Sequence, residues 1–155
     1  MEPTSPAAAL PSPHSVLIVE DEMSIRDILA ELFDVGGVAP QVAGSLGDAK
    51  HALMRKPWDL IVTDLRLGGK RDGGLQVMAM AGMLAPNATV IVLTAFPDED
   101  NRHASLRLGA TYFLEKPVDL SVIAELAARH GVATALCPHP ESSAAPALRQ
   151  EYGAA

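Results

Sequence analysis

A single cysteine, Cys137, in 155 residues excludes an intrachain disulfide and a metal site built from cysteines. No apolar run approaches the ~20 residues that a membrane-spanning helix needs. The opening Met1-Glu2-Pro3-Thr4-Ser5-Pro6 lacks the basic-then-apolar layout of a secretory leader. Basic residues are also short. The 12 Lys and Arg face 19 Asp and Glu, a net charge of −7, which argues against non-specific binding to nucleic acid or anionic membrane. A cytoplasmic protein with one domain and flexible ends is expected.

What is present is a set of short apolar runs that end on polar residues. Leu60-Ile61-Val62-Thr63 ends on Asp64, Val16-Leu17-Ile18-Val19 leads into Glu20-Asp21-Glu22, and Val90-Ile91-Val92-Leu93 leads into Thr94-Ala95. Runs of this kind read as strands buried on both faces of a parallel sheet. Helical spacing follows each: Ile25, Ile28, Leu29, Leu32 and Phe33 over Met23 to about Val35, then Leu46, Ala49, Ala52 and Leu53 behind a capping Ser45. An uncharged, Met-rich helix is expected over Leu75 to Leu84. Another starts near Pro97 with Asp98-Glu99-Asp100 in its first turn, and a fifth runs from Asp119 to about Arg129.

Strands are expected at Ser15–Val19, Val38–Ala43, around Asp64, Thr89–Leu93 and Thr111–Leu114. Pro40 cannot donate to a strand ladder, so the second strand belongs at an edge. Alternating strands and helices imply a doubly wound parallel sheet of flavodoxin-like (βα)5 type, with strand order 2-1-3-4-5. Residues 1–13 read as a disordered lead, 14–131 as the domain, and 132–155 as a flexible tail.

In that order the tips of strands one and three are neighbours, so Glu20, Asp21 and Asp64 converge. Three carboxylates together repel unless a cation joins them or their pKa values rise. A hard divalent ion, Mg²⁺ before Zn²⁺, suits oxygen ligands. Lys116 supplies a fixed positive charge and Thr94 a hydroxyl, and the set describes a phosphoryl site. Lys70 and Arg71 read as solvated loop charges, and Met78, Met80 and Met83 as core filler. Trp58 reads as packing at the far end of the sheet. His14, His51, His103, His130 and His139 show no metal-ligand spacing, and Cys137 carries no assigned role.

Four stretches now stand at strand tips in order: Val16 to Glu22, Leu60 to Arg66, Val90 to Ala95, and Leu114-Glu115-Lys116-Pro117. Together they resemble the receiver domain of two-component response regulators, over roughly residues 14 to 131. The resemblance implies that Asp64 accepts a phosphoryl group from a histidine kinase or histidine phosphotransfer protein. It implies Mg²⁺ held by Glu20, Asp21, Asp64 and the Arg66 backbone carbonyl, with Lys116 pairing to the phosphoryl oxygens. Thr94 and Phe113 are then the switch residues, and the Lys116-Pro117 bond is cis. The face of helix four, strand five and helix five is the implied partner or homodimer surface, and helix one the dock for the phosphodonor.

Two departures stand out. Gly68 replaces the usual proline four residues after the acceptor, and the loop from Gly68 to Gly74 is longer than usual and expected to be mobile. Arg66 and Phe96 form a bulky pair at positions that govern water access, which implies slow hydrolysis.

The competing readings are weaker. A phosphohydrolase using Asp64 wants a second acid where Arg66 stands. A flavin module would not place Glu20-Asp21-Glu22 against a phosphate. No chemistry beyond self-phosphorylation and autodephosphorylation at Asp64 is therefore expected. A receiver used as a phosphorylation-independent interaction module is the runner-up. After Gly131 there is no helix-turn-helix pattern and no catalytic motif, so a stand-alone receiver without direct DNA binding is expected, with a truncated regulator as the alternative.

Overall fold

The computed structural model describes residues 14–36, 39–68 and 73–140. Five parallel strands form one sheet in the order β2-β1-β3-β4-β5: β1 Val16–Val19, β2 Gln41–Ala43, β3 Leu60–Asp64, β4 Thr89–Thr94 and β5 Tyr112–Glu115. The helices are α1 Met23–Phe33, α2 Leu46–Arg55, α3 Gly73–Leu84, α4 Glu99–Arg107 and α5 Leu120–Arg129. This is the flavodoxin-like order expected from the sequence, with β2 at the edge.

Side-chain alternation along each strand divides the core in two. Leu17, Val19, Ile61, Val92 and Phe113 face α2, α3 and α4. Ile18, Val62, Ile91, Leu93 and Leu114 face α1 and α5. Both sides of the central strands are therefore covered, which explains why their sequences are continuously apolar instead of alternating. The register sets Val19 beside Thr63 and Thr94 beside Glu115, so the polar residues after β1, β3, β4 and β5 gather along one edge.

Several boundaries move for identifiable reasons. β1 starts at Val16, not Ser15, because the Ser15 carbonyl accepts the N–H groups of Asp59 and Leu60 instead. β2 starts at Gln41, just after Pro40, and Val38 lies outside the described residues. α1 stops at Phe33 and β4 continues to Thr94. β5 starts at Tyr112, since the Thr111 hydroxyl accepts the Val90 N–H from the side. Asp98 and Asp119 are caps and not first-turn residues, accepting the N–H groups of Asn101 and Ser121. Ser45 caps α2 as expected.

α3 begins two residues early, at Gly73. Met83, expected in the core, is 80% exposed at the end of α3, whereas Met78 is buried. The indole of Trp58 is buried and donates to the Ala52 carbonyl. Lys70, Arg71 and most of the expected mobile loop lie outside the described residues, as does the expected disordered lead, residues 1–13.

The chain stays packed beyond the boundary placed at residue 131. Val132 and Thr134 are buried, the Ala135 N–H donates to the Leu32 carbonyl at the end of α1, and the Cys137 N–H donates to Thr134. This segment satisfies a helix-end carbonyl through a turn. Turns have no apolar period, so the sequence showed no element there.

α4 is held unlike its neighbours. Its one buried residue is Ser105, whose hydroxyl is enclosed without a hydrogen-bond partner. An orphaned buried hydroxyl costs free energy that an apolar residue of similar size avoids. Ser105→Ala is therefore expected to leave stability unchanged or raise it by up to about 1 kcal/mol in urea unfolding. A loss of more than that would show that the hydroxyl is bonded in solution.

Candidate functional site

β1 and β3 deliver the carboxylates and β5 the cation. Glu20 follows β1 directly, buried, with its N–H tied to the Ala43 carbonyl of β2. Asp64 ends β3, and the N–H of Leu65 just beyond it donates to the Leu93 carbonyl of β4. Oxygen atoms of Glu20, Asp21 and Asp64 all lie within 4.8 Å of one another. Lys116 Nζ bridges two of them, 3.0 Å from Glu20 Oε1 and 3.1 Å from Asp64 Oδ2. Asp21 instead accepts the Gly68 N–H at 2.9 Å, and Gly68 uses a left-handed φ of 57° there. The residue standing where the family usually has proline thus supplies an N–H that proline lacks.

One ammonium does not balance three carboxylates. Burial, and then the negative charge of Asp64, raise the Glu20 pKa from 4.5 to about 7, against the opposing pull of Lys116. Burial alone would lower the Lys116 pKa, but its bond to Glu20 and the charge of Asp64 outweigh that and raise it. Three hard oxygen donors on two adjacent strand tips, one of them short of positive charge, fit a divalent cation without any histidine or thiolate.

The raised Glu20 pKa has a sign that can be checked. Between pH 4.5 and about 7 the folded protein binds a proton that the unfolded chain has released. The Glu20 contribution to metal-free stability is therefore fully present below pH 4.5 and is lost as the pH rises through about 7. At about 1.4 kcal/mol per pKa unit the loss is at most ~3.5 kcal/mol, and solvent screening makes it smaller. Unfolding in chelator at several pH values should show this slope in the wild type and a flatter one in Glu20→Gln. Equal slopes would overturn the assignment.

The remaining residues stand around this centre. Thr94 is fully buried, and its hydroxyl accepts the Phe96 N–H at 2.9 Å. Phe113 is already packed inside, on the α2–α4 side. The Lys116-Pro117 peptide is cis, as the resemblance implied, and the Lys116 N–H donates to the Thr94 carbonyl at 2.7 Å, tying the tips of β4 and β5 together. Arg66 donates its N–H to Asp64 Oδ1 at 3.3 Å, and its guanidinium lies 4.0 Å from the Phe96 ring centre. That stacked pair links the tips of β3 and β4.

Sequence reasoning missed Gly74. A Cβ there would collide with the Asp64 carbonyl and the Leu65 backbone, while its N–H donates to the Leu65 carbonyl at 2.8 Å. The Gly73-Gly74 pair opening a helix, where glycine is unfavourable, was the available signal.

An open parallel sheet with carboxylates, an ammonium and a hydroxyl at its switch point is the arrangement that the receiver resemblance implied. A family model described as the response regulator receiver domain matches residues 16–128, and the chain belongs to that family. It is 36% identical over 137 residues to the response regulator protein PilR of Pseudomonas aeruginosa, covering 87% of this chain and 29% of PilR. With the photosynthetic apparatus regulatory protein RegA of Rhodovulum sulfidophilum it shares 32% identity, covering 83% of this chain and 68% of RegA.

Among solved structures, a response regulator of Burkholderia pseudomallei, crystallised with a phosphorylated aspartic acid, calcium and citrate, superposes with a TM-score of 0.66. Identity there is 27%, over 74% of this chain and 65% of that one. The beryllofluoride-activated NtrC4 receiver domain dimer gives 0.65 at 28% identity, over 76% of this chain and 95% of that one. The chain spans less than a third of PilR and of FleR, another similar regulator of Pseudomonas aeruginosa. No helix among the described residues is long and apolar enough to cross a membrane.

Proposed function

We propose that the chain is a phosphorylatable receiver in which Asp64 takes a phosphoryl group from the phosphohistidine of a histidine kinase or phosphotransfer protein. The observation that carries this reading is the contact of Asp64 with Lys116 at 3.1 Å inside a carboxylate trio within 4.8 Å. An oxygen of Asp64 forms the new bond to phosphorus. The phosphorus–nitrogen bond breaks with its electron pair left on the donor imidazole, which then takes up a proton. Glu20, Asp21, Asp64 and the Arg66 carbonyl would hold Mg²⁺, which supplies positive charge to the phosphoryl oxygens when bound. The phosphorylated aspartate and calcium named for the Burkholderia protein support this.

Lys116 is already placed to exchange its Glu20 contact for a phosphoryl oxygen. Thr94, whose hydroxyl only accepts from Phe96 in this structure, still has its own proton to donate. Adding about −1.5 to −2 charge draws both groups inward. α4 is the element suited to follow, because Ser105 is its one buried residue. The reading therefore assigns the switch to α4, β5 and α5, through Thr94 and Phe113, and donor docking to α1. The stacked Arg66 and Phe96 side chains fit slow hydrolysis. No separate substrate is turned over in this reading.

Acetyl phosphate with Mg²⁺ should produce a retarded band on a phosphate-affinity gel. Chelator should prevent the band, and hydroxylamine should erase it by cleaving the acyl phosphate. A chain that no phosphodonor or kinase can label would instead be an interaction module that works without phosphorylation.

A further inference from the structure

Between α4 and α5, beside the tip of β5, lies an open groove of about 500 Å³. Pro117, Val118 and Val122 give part of its lining apolar side chains, next to the buried Phe113 and Leu114 at the end of β5. Its charged rim is unbalanced: Glu99, Glu115 and Asp119 stand against Arg102 alone. Asp98 and Asp100 extend the same sign along the start of α4. Asp119 stays ionised, since the Ser121 backbone and side chain bond to its carboxylate and lower its pKa. Lys116 adds nothing to the rim, because its ammonium is turned inward onto Glu20 and Asp64.

We propose that this groove takes an apolar, basic segment of a partner protein, seating aliphatic side chains on Val118 and Val122 while Lys or Arg side chains meet Glu99, Glu115 and Asp119. The proposal rests on the receiver reading and deepens it by naming the partner chemistry of the α4–β5–α5 face. Charge complementarity selects the occupant. A second copy placed with like ends together would set the same acids against each other. Apart from Arg102, the arginines of α4 and α5 are Arg107 and Arg129, which lie in the last turns of those helices, at the far end from the groove. Nucleic acid is repelled by the same rim. A basic peptide gains both from the apolar lining and from the rim, and a like-charged one is rejected.

The test uses the full chain and two peptides of equal length, one of leucine and lysine and one of leucine and glutamate. Binding is followed by amide chemical shifts, without phosphodonor, so a chain that never accepts a phosphoryl group would still report. Acetyl-phosphate labelling is scored separately. The leucine–lysine peptide should shift Arg102, Glu115, Val118 and Val122, and the leucine–glutamate peptide should not bind.

Opposite signs are expected from two rim variants. Glu115→Lys should weaken binding roughly tenfold, and Arg102→Glu should tighten it. Glu31→Lys on α1, with the same change in net charge as Glu115→Lys, should alter it less than about twofold, an exposed site far from the groove. Equal losses in Glu115→Lys and Glu31→Lys, or shifts spread over the whole acidic surface, would show general charge attraction and overturn the proposal. Groove shifts that grow with protein concentration alone would overturn it in favour of a second copy.

Discussion

Asp64→Asn is expected to abolish labelling by acetyl phosphate and, at neutral pH, to leave the metal-free protein as stable as the wild type or more so. Loss of the carboxylate removes the nucleophile while the strand tip keeps its backbone bonds, including that of Leu65 to Leu93. The stability half follows from the electrostatics. Asp64 is the second-largest cause of the raised Glu20 pKa, after burial, so its removal lets Glu20 ionise against Lys116 at 3.0 Å. The gain should be of the order of 1 kcal/mol, as when a functional site gives up like-charge repulsion. Chemical unfolding at neutral pH beside the phosphate-affinity gel measures both halves. A band that persists in Asp64→Asn would move the acceptor to another residue and end the receiver chemistry proposed for this site.

Gly74→Ala should do the reverse, costing stability and function together. The added methyl meets the Asp64 carbonyl and the Leu65 Cα, which lies 2.6 Å from the ideal position. Both are backbone, so no side chain can rotate away, and α3 must move off the tip of β3. Overpacking of this kind costs roughly 1–3 kcal/mol, and the displacement reaches Asp64 itself, so labelling should slow as well. Gly82, in the same helix, is the control. It is exposed, and a Cβ there finds only the Leu108 carbonyl at 3.9 Å. Gly82→Ala should therefore stabilise by roughly 0.5–1 kcal/mol through helix propensity. Similar stability changes at the two positions would show that α3 is not seated on β3 as described.

Much of this architecture could be read along the chain. Leu60 to Val62 is apolar because β3 is covered on both faces, and that burial leaves a plain mark in the sequence. Pro40 marked the edge, and β2 does begin only after it. The difficulties came where the signal is not periodic. Ser15 and Thr111 look like strand residues, yet they spend their hydrogen-bonding groups on neighbours across the ladder. Met83 fits an apolar helix pattern but falls on the outer side of α3, a helix too uniformly apolar for its sequence to show which face is buried. The turn at Thr134 and Cys137 is held by bonds to residues near and far, and no local pattern announces it.

The sequence by itself determined five strands and the polar residues at their tips, because burial and periodicity are properties of each segment taken alone, and the alternation with helices, with Pro40 in the second strand, pointed to their parallel order. It also placed Glu20, Asp21, Asp64, Thr94 and Lys116 at a common edge, since in a parallel sheet every strand ends there. Only the tertiary structure decided how those groups divide their contacts. Lys116 bridges Glu20 and Asp64 while Asp21 turns to Gly68. Arg66 stacks on Phe96, and Gly74 brings α3 against the acceptor strand. Such pairings join residues distant in sequence, at separations of a few ångströms that depend on how strands and helices settle on one another. The chain order carries no record of them.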